Sequence, residues 1–344
     1  MLTDVFLLLI SLLILITAAE GLVRGASRLA IRLGISSFVV GVTVVAFGTS
    51  APELAAALTS VTTDHPQIAL GNVVGSNIMN IAIVLGLTAL VKPIPVARVL
   101  IKRQTLVVIG VSVLPFAAFF TKGTLNCWLG MIFVALLVVF LIWTWKTGKA
   151  RGETTPEPAH ASAPTLPPGA ARIAADLGLI ALGIVLLVIG ADILVDSASS
   201  LARAFGVSEL VIGLSIVAGG TSAPELVTSL VALYRGKADL SVGNILGSCV
   251  FNILGILGIT AIVAPMASPA PLEIPSSMFV IDLPFMALLA VACLPIFFSK
   301  SQVSRAEGAI LLAAGIAYLV TLFTLANNQT EEEIQPPPIT WRSS

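Results

Sequence analysis

The hexapeptide GTSAPE occurs twice, at residues 48–53 and 220–225, and each copy places a proline and a carboxylate inside a long apolar run. Proline has no amide hydrogen and its ring displaces the carbonyl of the preceding turn, so each copy predicts a broken helix whose loosened carbonyls need a polar cavity. One turn of helix places these carbonyls, the hydroxyls and the carboxylate on one face. The oxygen-bearing residues are Ala46, Thr49, Ser50 and Glu53 in the first copy, and Ala218, Thr221, Ser222 and Glu225 in the second.

A companion motif follows each hexapeptide: GNVVGSNIMN at residues 71–80 and GNILGSCVFN at residues 243–252. Its serine and asparagine side chains recur every four residues and share a helix face, while its glycines permit close helix approach. One such residue in a membrane helix serves packing more often than binding, but two matching stripes beside two carboxylates favour ligands. The favoured positions are Ser76, Asn80, Ser248 and Asn252, whereas Asn72, Asn77 and Asn244 could equally hold backbone carbonyls.

These residues offer only oxygen ligands, which suit a hard cation such as calcium or sodium rather than zinc or copper. Two ionised glutamates supply a charge of about −2, which one Ca²⁺ or two to three Na⁺ would balance, and without a cation two buried carboxylates tend to take up protons. The pattern therefore predicts competition between cations, with protons as a background competitor. The sequence shows no nucleophile and base pair, phosphate loop or nucleotide motif, so it indicates neither an enzyme, nor a cofactor, nor a nucleotide as partner.

The composition of the whole chain indicates an integral membrane protein. Of 344 residues, 57% are hydrophobic and only 10% are charged, and the mean hydropathy is +1.04, whereas soluble domains have about 25% charged residues. Eighteen basic residues balance eighteen acidic ones, so no basic face for nucleic acid is expected. Cys127, Cys249 and Cys293 lie singly in apolar runs, which favours packing over a metal or redox site.

Apolar stretches long enough to cross a hydrocarbon core of roughly 30 Å occur about ten times. They lack the alternation of barrel strands, so they predict an all-α membrane protein with ten transmembrane helices. The first stretch could be a signal peptide, but its start has no basic region, so a helix is expected. The predicted spans are 2–19, 38–61, 67–91, 104–121, 125–145, 173–196, 209–234, 240–265, 278–298 and 306–326.

Lysine and arginine are unequally distributed between the two sides that ten spans define. Fifteen of them, including Arg24, Arg28 and Arg32 in the first loop, fall on one side and three on the other. The positive-inside rule then places both termini outside. The Pro-, Ala- and Thr-rich segment 146–172 predicts a disordered cytoplasmic linker, and residues 329–344 predict a flexible solvated tail. His65 and His160 are expected to be solvated loop residues rather than ligands.

The two halves of the sequence, 1–145 and 173–328, repeat each other at a constant offset of 172 residues. The repeat pairs residues 41–60 with 213–232 and residues 71–90 with 243–262, without gaps and with about half of the positions matching. Each half holds five spans, an odd number, so the second half should enter the membrane upside down relative to the first. Secondary transporters use such a five-plus-five inverted repeat to build one site near the bilayer midplane.

The doubled motifs, within 41–90 and 213–262, resemble the two alpha-repeats of the calcium/cation antiporter superfamily, in its sodium/calcium exchanger family. The resemblance covers nearly all ten spans. It implies that the second, third, seventh and eighth helices form an ion-binding core, across which the first and sixth helices slide during alternating access. By motif position it also implies Glu53 and Glu225 as acidic ligands. The further oxygen ligands it implies are Thr49, Ser50, Ser76, Asn80, Thr221, Ser222, Ser248 and Asn252.

The resulting hypothesis is a secondary transporter that exchanges Na⁺ for Ca²⁺ across the inner membrane of a prokaryote. Asn252 stands where some members of the family have an aspartate, so potassium coupling and the usual stoichiometry stay open. A Ca²⁺/H⁺ antiporter is the main alternative, although the acidic GNxxE-type signature of those exchangers is absent from the sequence. A cation channel and an inert membrane scaffold are further alternatives. The expected partners are Ca²⁺ and Na⁺, or H⁺ in the alternative, and the lipid bilayer; oligomeric state is not indicated.

Overall fold

The computed structural model describes residues 1–63, 65–95, 98–150, 169–206, 216, 218–267, 272–299 and 302–334. Two short antiparallel strands, β1 (Ile94–Pro95) and β2 (Gln302–Val303), pair with each other. The helices, labelled in chain order, are α1 (Leu2–Leu33), α2 (Ser37–Thr49), α3 (Ala51–Thr62), α4 (Pro66–Val91), α5 (Arg98–Val113, continued by a 3₁₀ segment Leu114–Thr121), α6 (Cys127–Ala150), α7 (Ala170–Ala204), α8 (Ala218–Thr221), α9 (Ala223–Tyr234), α10 (Ala238–Ala267), α11 (Ser276–Val280), α12 (Asp282–Ser299) and α13 (Arg305–Ile334).

The helices agree with the apolar stretches of the sequence. In the described part of the chain, eight helical stretches are long and apolar enough to cross a membrane, and α2 with α3 makes a ninth span that is bent by 41°. The remaining predicted span, 209–234, is represented by α8 and α9, but residues 207–215 and 217 lie outside the described residues. A mostly helical membrane protein is confirmed, and the complete set of ten spans stays a prediction.

The first helix is longer than the sequence predicted. α1 continues to Leu33 and ends at Gly34, whose φ of 64° lies in the left-handed region that glycine adopts readily. The prediction that Arg24, Arg28 and Arg32 lie in a loop is therefore wrong, because all three lie on the last turns of α1. An apolar window detects only the part of a helix at membrane depth, while arginine is itself a good helix former.

Both ends of the segment predicted to be a disordered linker, 146–172, are helical. α6 ends at Ala150 and α7 begins at Ala170. The linker boundaries are corrected accordingly, and the physical reason is that the alanine, lysine and arginine residues near these ends favour a helix. Residues 151–168, which include His160, lie outside the described residues.

The last helix likewise runs into the segment predicted to be a flexible tail, 329–344. α13 ends at Ile334. This corrects the start of the tail, since a run of glutamate residues can continue a helix that already exists. Residues 335–344 lie outside the described part of the chain.

Two helices occupy the centre of the molecule. In α4, 78% of an apolar stretch of 18 residues is buried inside the protein. The corresponding share is 89% in α10, but only 28% in α1 and in α7. The first half of α2 packs closely on α10: a side chain at Gly243 would meet the carbonyl of Phe38, and one at Gly247 the carbonyl of Val42. The central helices therefore contact each other backbone to backbone, as small residues allow in membranes.

α1 and α7 pack against each other in antiparallel directions. Gly25 faces Asp176 near the end of α1, and Gly183 faces Ala18 further back along it. A buried ion pair also joins the two helices, with Arg32 Nε at 2.6 Å from Asp176 Oδ2 and both side chains less than a tenth exposed. This pairing makes α1 and α7 one structural unit beside the central helices.

Candidate cation site

The two GTSAPE segments form matching breaks between helices. Ser50 separates α2 from α3 with φ −86° and ψ 8°, and Ser222 separates α8 from α9 with φ −88° and ψ 3°. Pro52 and Pro224 lie in the first turns of α3 and α9, where a helix does not need the missing amide hydrogen. The predicted break is confirmed in both copies.

The acid of the second copy is held by hydroxyls from both halves of the chain. Glu225 is fully buried, and its Oε1 accepts hydrogen bonds from Ser50 Oγ at 3.0 Å and from Ser248 Oγ at 3.4 Å. The Ser50 hydroxyl belongs to the first GTSAPE copy. The fold thus brings together residues that are 175 positions apart in the sequence.

The acid of the first copy has a different environment. Glu53 is fully buried, and neither of its carboxylate oxygens has a hydrogen-bond partner among the described residues. Several further buried polar atoms have no partner in the described structure: Glu225 Oε2, Ser222 Oγ, and both amide atoms of Asn80 and of Asn252. Buried polar atoms without partners are rare and point to a ligand.

The amide residues Asn80 and Asn252 both lie in wide turns of their helices. α4 changes from an ordinary helix to the wider π form over Asn80–Leu85, and α10 does so over Phe251–Leu257, which contains Asn252. Such wide turns are frequent at functional sites. Ser76 and Ser248 lie one turn before the amides and are buried.

Asn72 and Asn244 hold the broken helices in the same way. Asn72 Nδ2 donates to the carbonyl of Glu53 at 3.2 Å, and Asn244 Nδ2 donates to the carbonyl of Glu225 at 3.4 Å. The interpretation that these two asparagines hold backbone carbonyls is confirmed. Asn77 does not do so among the described residues, since its Nδ2 contacts Met286 Sδ at 3.6 Å.

Asn244 makes further contacts that Asn72 does not. It accepts a hydrogen bond from Thr49 Oγ1 at 3.0 Å and donates to Ser229 Oγ at 3.1 Å. Sequence reasoning missed Ser229. The offset of 172 residues pairs it with Ala57, and this difference between the halves is the signal that could have found it.

The two predicted backbone ligands, Ala46 and Ala218, lie in the short helical segments just before the breaks. The carbonyl of Ala46 accepts the amide of Ser50 at 3.0 Å, so the expectation that the break frees this carbonyl is wrong; the first turn after Ala46 still closes because the proline lies further along. A carbonyl oxygen has a second lone pair, and the carbonyl oxygen of Ala46 also lies 3.4 Å from Thr49 Oγ1. Ala218 begins α8, and the half-buried Thr221 ends it.

The glycines of the two hexapeptides lie under α7. A methyl group at Gly48 would overlap the side chain of Ile184, and one at Gly220 would overlap that of Val195. The sequence suggested that these glycines weaken the helix; in the structure they also let α7 pack directly on both breaks.

The sequence did not assign the histidine and cysteine residues as ligands. His65 is an exposed residue next to the start of α4, as predicted, and its Nδ1 lies 2.7 Å from the carbonyl oxygen of Thr63. Cys249 and Cys293 are buried, Cys127 is partly buried, and all three are unpaired thiols.

The profile of the family described as sodium/calcium exchanger protein matches residues 3–146 and 176–324. The chain belongs to the sodium/calcium exchanger family. It is therefore a multi-pass integral membrane protein of the cation antiporter class, and the family predicted from the doubled motif is confirmed.

Individual relatives match nearly the whole chain. CaxA of Alkalimonas amylolytica is 38% identical over 94% of this chain and 100% of its own length. The sodium/calcium exchanger MaX1 of Methanosarcina acetivorans is 29% identical over 92% of this chain and 97% of its own. A solved structure of the sodium-calcium exchanger NCX_Mj, soaked with 2.5 mM Na⁺ and 0.1 mM Ca²⁺, superposes with a TM-score of 0.76 at 30% identity, covering 93% of this chain and 98% of that one.

Proposed function

We propose that this protein exchanges Na⁺ for Ca²⁺, and that the ions bind among the buried oxygens between the two broken helices. The observation that supports this proposal best is the set of carboxylate and amide oxygens of Glu53, Glu225, Asn80 and Asn252 that are buried without partners in the described structure. Each unsatisfied buried polar group costs about 1 to 3 kcal/mol, and a bound cation would remove this cost for several groups at once.

We assign Glu53 and Glu225 as the acidic ligands, because they supply the only negative charges among the clustered residues described above. Ca²⁺ takes six to eight oxygen ligands, more than two carboxylates provide. The remaining ligands that we assign are the side chains of Thr49, Ser50, Ser76, Asn80, Thr221, Ser222, Ser248 and Asn252, with the carbonyls of Ala46 and Ala218.

Charge explains why the two ions would exclude each other. One Ca²⁺ balances two carboxylates, and Na⁺ ions that use the same oxygens would leave no countercharge for it. The hydroxyls of Ser50 and Ser248 donate to Glu225, so their lone pairs remain to face a cation. Binding of either ion then requires release of the other, which is the condition for exchange.

We further propose alternating access in a ten-span, five-plus-five inverted arrangement, with α1 and α7 moving across the core. Three observations support it: α4 and α10 are the most buried spans, α1 and α7 form one paired unit, and α7 covers the breaks at Gly48 and Gly220. A sliding α7 would open one face of the site as it covers the other.

Flux in proteoliposomes tests the proposal. Protein reconstituted into Na⁺-loaded vesicles should accumulate Ca²⁺ when external Na⁺ is low, and dissipating the Na⁺ gradient should stop the uptake. Uptake that follows a pH gradient and ignores Na⁺ would replace the proposal by Ca²⁺/H⁺ exchange. Ca²⁺ entry into vesicles with no exchangeable ion inside would instead indicate a channel.

A further inference from the structure

A basic cavity lies on the surface of the molecule, away from the cation site. It has a volume of about 440 Å³ and is lined by α1, by Leu179 of α7 and by Arg235, the residue after α9. Its basic residues are Arg24, Arg28 and Arg235, and its single acid is Glu20. The cavity therefore holds three positive charges and one negative charge.

Glu20 is shared by two of the arginines and leaves the third without a counterion. Its carboxylate forms ion pairs with Arg24 on the same helix and with Arg235, whose Nε lies 2.8 Å from Glu20 Oε2. Arg28 forms no ion pair within the described part of the chain. Arg24 and Arg235 are still about half exposed, so guanidinium groups remain accessible for a further anion.

The position of the cavity indicates which kind of anion would bind to its arginines. From Leu2 to Arg24 the helix rises about 33 Å, slightly more than a hydrocarbon core of roughly 30 Å, which puts the arginines at headgroup depth. Exposed apolar side chains on α1, Leu13 at 63% and Ile16 at 52%, lead from the membrane interior to the cavity. Ile16 itself lines it together with Leu179.

We propose that this cavity binds the phosphate of an anionic phospholipid, with the first part of an acyl chain along Ile16 and Leu179. Guanidinium groups bind phosphate oxygens in bidentate geometry, and basic pockets between membrane helices suit anionic headgroups. A free phosphate ion would use the arginines but not the apolar track beside them. The lipid phosphate would bind Arg28 directly and compete with Glu20 for Arg24 and Arg235, so it would adjust the contact between α1 and α9.

Binding is tested on the purified full-length protein in detergent, without any ion gradient, so its outcome is independent of the exchange assay. The melting temperature and the bound lipids seen by native mass spectrometry are compared for phosphatidylglycerol, for phosphatidylcholine with the same acyl chains, and for inorganic phosphate. We expect phosphatidylglycerol to stabilise the protein and to stay bound. Equal responses to the two lipids, or an equal response to inorganic phosphate, would overturn the proposal.

Substitutions of arginine residues test whether phosphatidylglycerol binds in this cavity. Arg28→Gln should weaken phosphatidylglycerol binding about tenfold, because a charge-assisted bidentate contact is lost, and Arg28→Lys should fall between it and the wild type. Arg305→Gln is the matched control: Arg305 is exposed at the start of α13, where it donates to the carbonyl of Val91, and its loss should leave binding unchanged. Equal loss in the Arg28→Gln and Arg305→Gln variants would overturn the site. If the Arg28→Gln variant does not fold, phosphatidylglycerol binding is compared between Arg28→Lys and Arg305→Gln. Equal binding by these two variants would then overturn the site.

Discussion

The two GTSAPE copies hold their carboxylates differently, although their sequences and backbone breaks match. Glu225 Oε1 accepts hydrogen bonds from Ser50 and Ser248, whereas neither carboxylate oxygen of Glu53 has a partner among the described residues. The hydroxyl of Ser222, the counterpart of Ser50, is buried and likewise has no partner in the described part of the chain. Hydroxyls from both halves therefore converge on one acid and leave the other acid without a described partner.

The asparagines that follow each hexapeptide show a second difference between the halves. Asn72 and Asn244 hold equivalent backbone carbonyls, but Asn244 also bonds to Thr49 and to Ser229. The position equivalent to Ser229 is Ala57 in the first half. The repeated motif thus fixes the backbone breaks of both halves, while Ser229, which lies beyond the motif, adds a contact to Asn244 in the second half.

Removal of either carboxylate should have the largest effect. We expect Glu53→Gln and Glu225→Gln each to lower Na⁺-driven Ca²⁺ uptake into proteoliposomes by at least about 100-fold, because the bound cation would lose one of its two carboxylates and the loss of one partner of a buried ion pair costs about 3 to 5 kcal/mol. Ca²⁺ uptake above a tenth of the wild-type rate in either variant would remove that residue from the proposed ligands.

The same two variants should differ in melting temperature when stability is measured without cations. Glu53→Gln replaces a carboxylate that has no partner by a neutral amide, so we expect the melting temperature in ion-free buffer to rise by about 2 to 4 °C. Glu225→Gln weakens the hydrogen bonds from Ser50 and Ser248, and its melting temperature should stay equal or fall. Equal shifts in both variants would contradict the asymmetry.

A third carboxylate in the site should tighten Ca²⁺ binding. Asn252→Asp and Asn80→Asp each add a charge where an amide has no partner in the described structure, so we expect about tenfold higher apparent affinity for Ca²⁺, measured by isothermal titration. Asn77→Asp is the control, because its amide contacts Met286 beside the site and its charge should not improve binding. An unchanged affinity in the first two variants would place the amides away from the ion.

The sequence was sufficient to predict the nine spans found among the described residues, the breaks at Ser50 and Ser222, and the family, because each depends on local chemistry or on a repeated motif. It could not predict that Ser50 reaches Glu225 rather than Glu53, since that contact depends on how distant helices pack. The continuation of α1 through Arg32 was missed because hydropathy measures lipid contact and not helix length. The first failure concerns two distant segments, and the second concerns the part of a helix that extends beyond its apolar stretch.

Smaller effects are expected where α7 covers the two breaks. Gly48→Ala and Gly220→Ala would each push a methyl group against Ile184 or Val195, and overpacking of this kind costs about 1 to 3 kcal/mol. If α7 slides across the breaks, the maximum exchange rate should fall about five- to tenfold while the apparent Ca²⁺ affinity changes less than twofold. A change in affinity with an unchanged rate would show that the glycines serve the site itself and not the movement of α7.

The smallest effect tests the contact that distinguishes the halves most directly. Ser229→Ala removes the hydrogen bond to Asn244, which is worth about 1 kcal/mol, so we expect the apparent Ca²⁺ affinity to fall about fivefold. Ser241→Ala is the control, since this hydroxyl is fully buried on α10 but has no partner in the described structure, and its removal should not lower affinity. Ala57→Ser gives Asn72 the missing contact in the first half; if that contact holds the acid of its own half, Glu53 should become better positioned and the affinity should rise. Equal losses for the variants at positions 229 and 241 would mean that any buried hydroxyl matters and that the Asn244 contact has no special role.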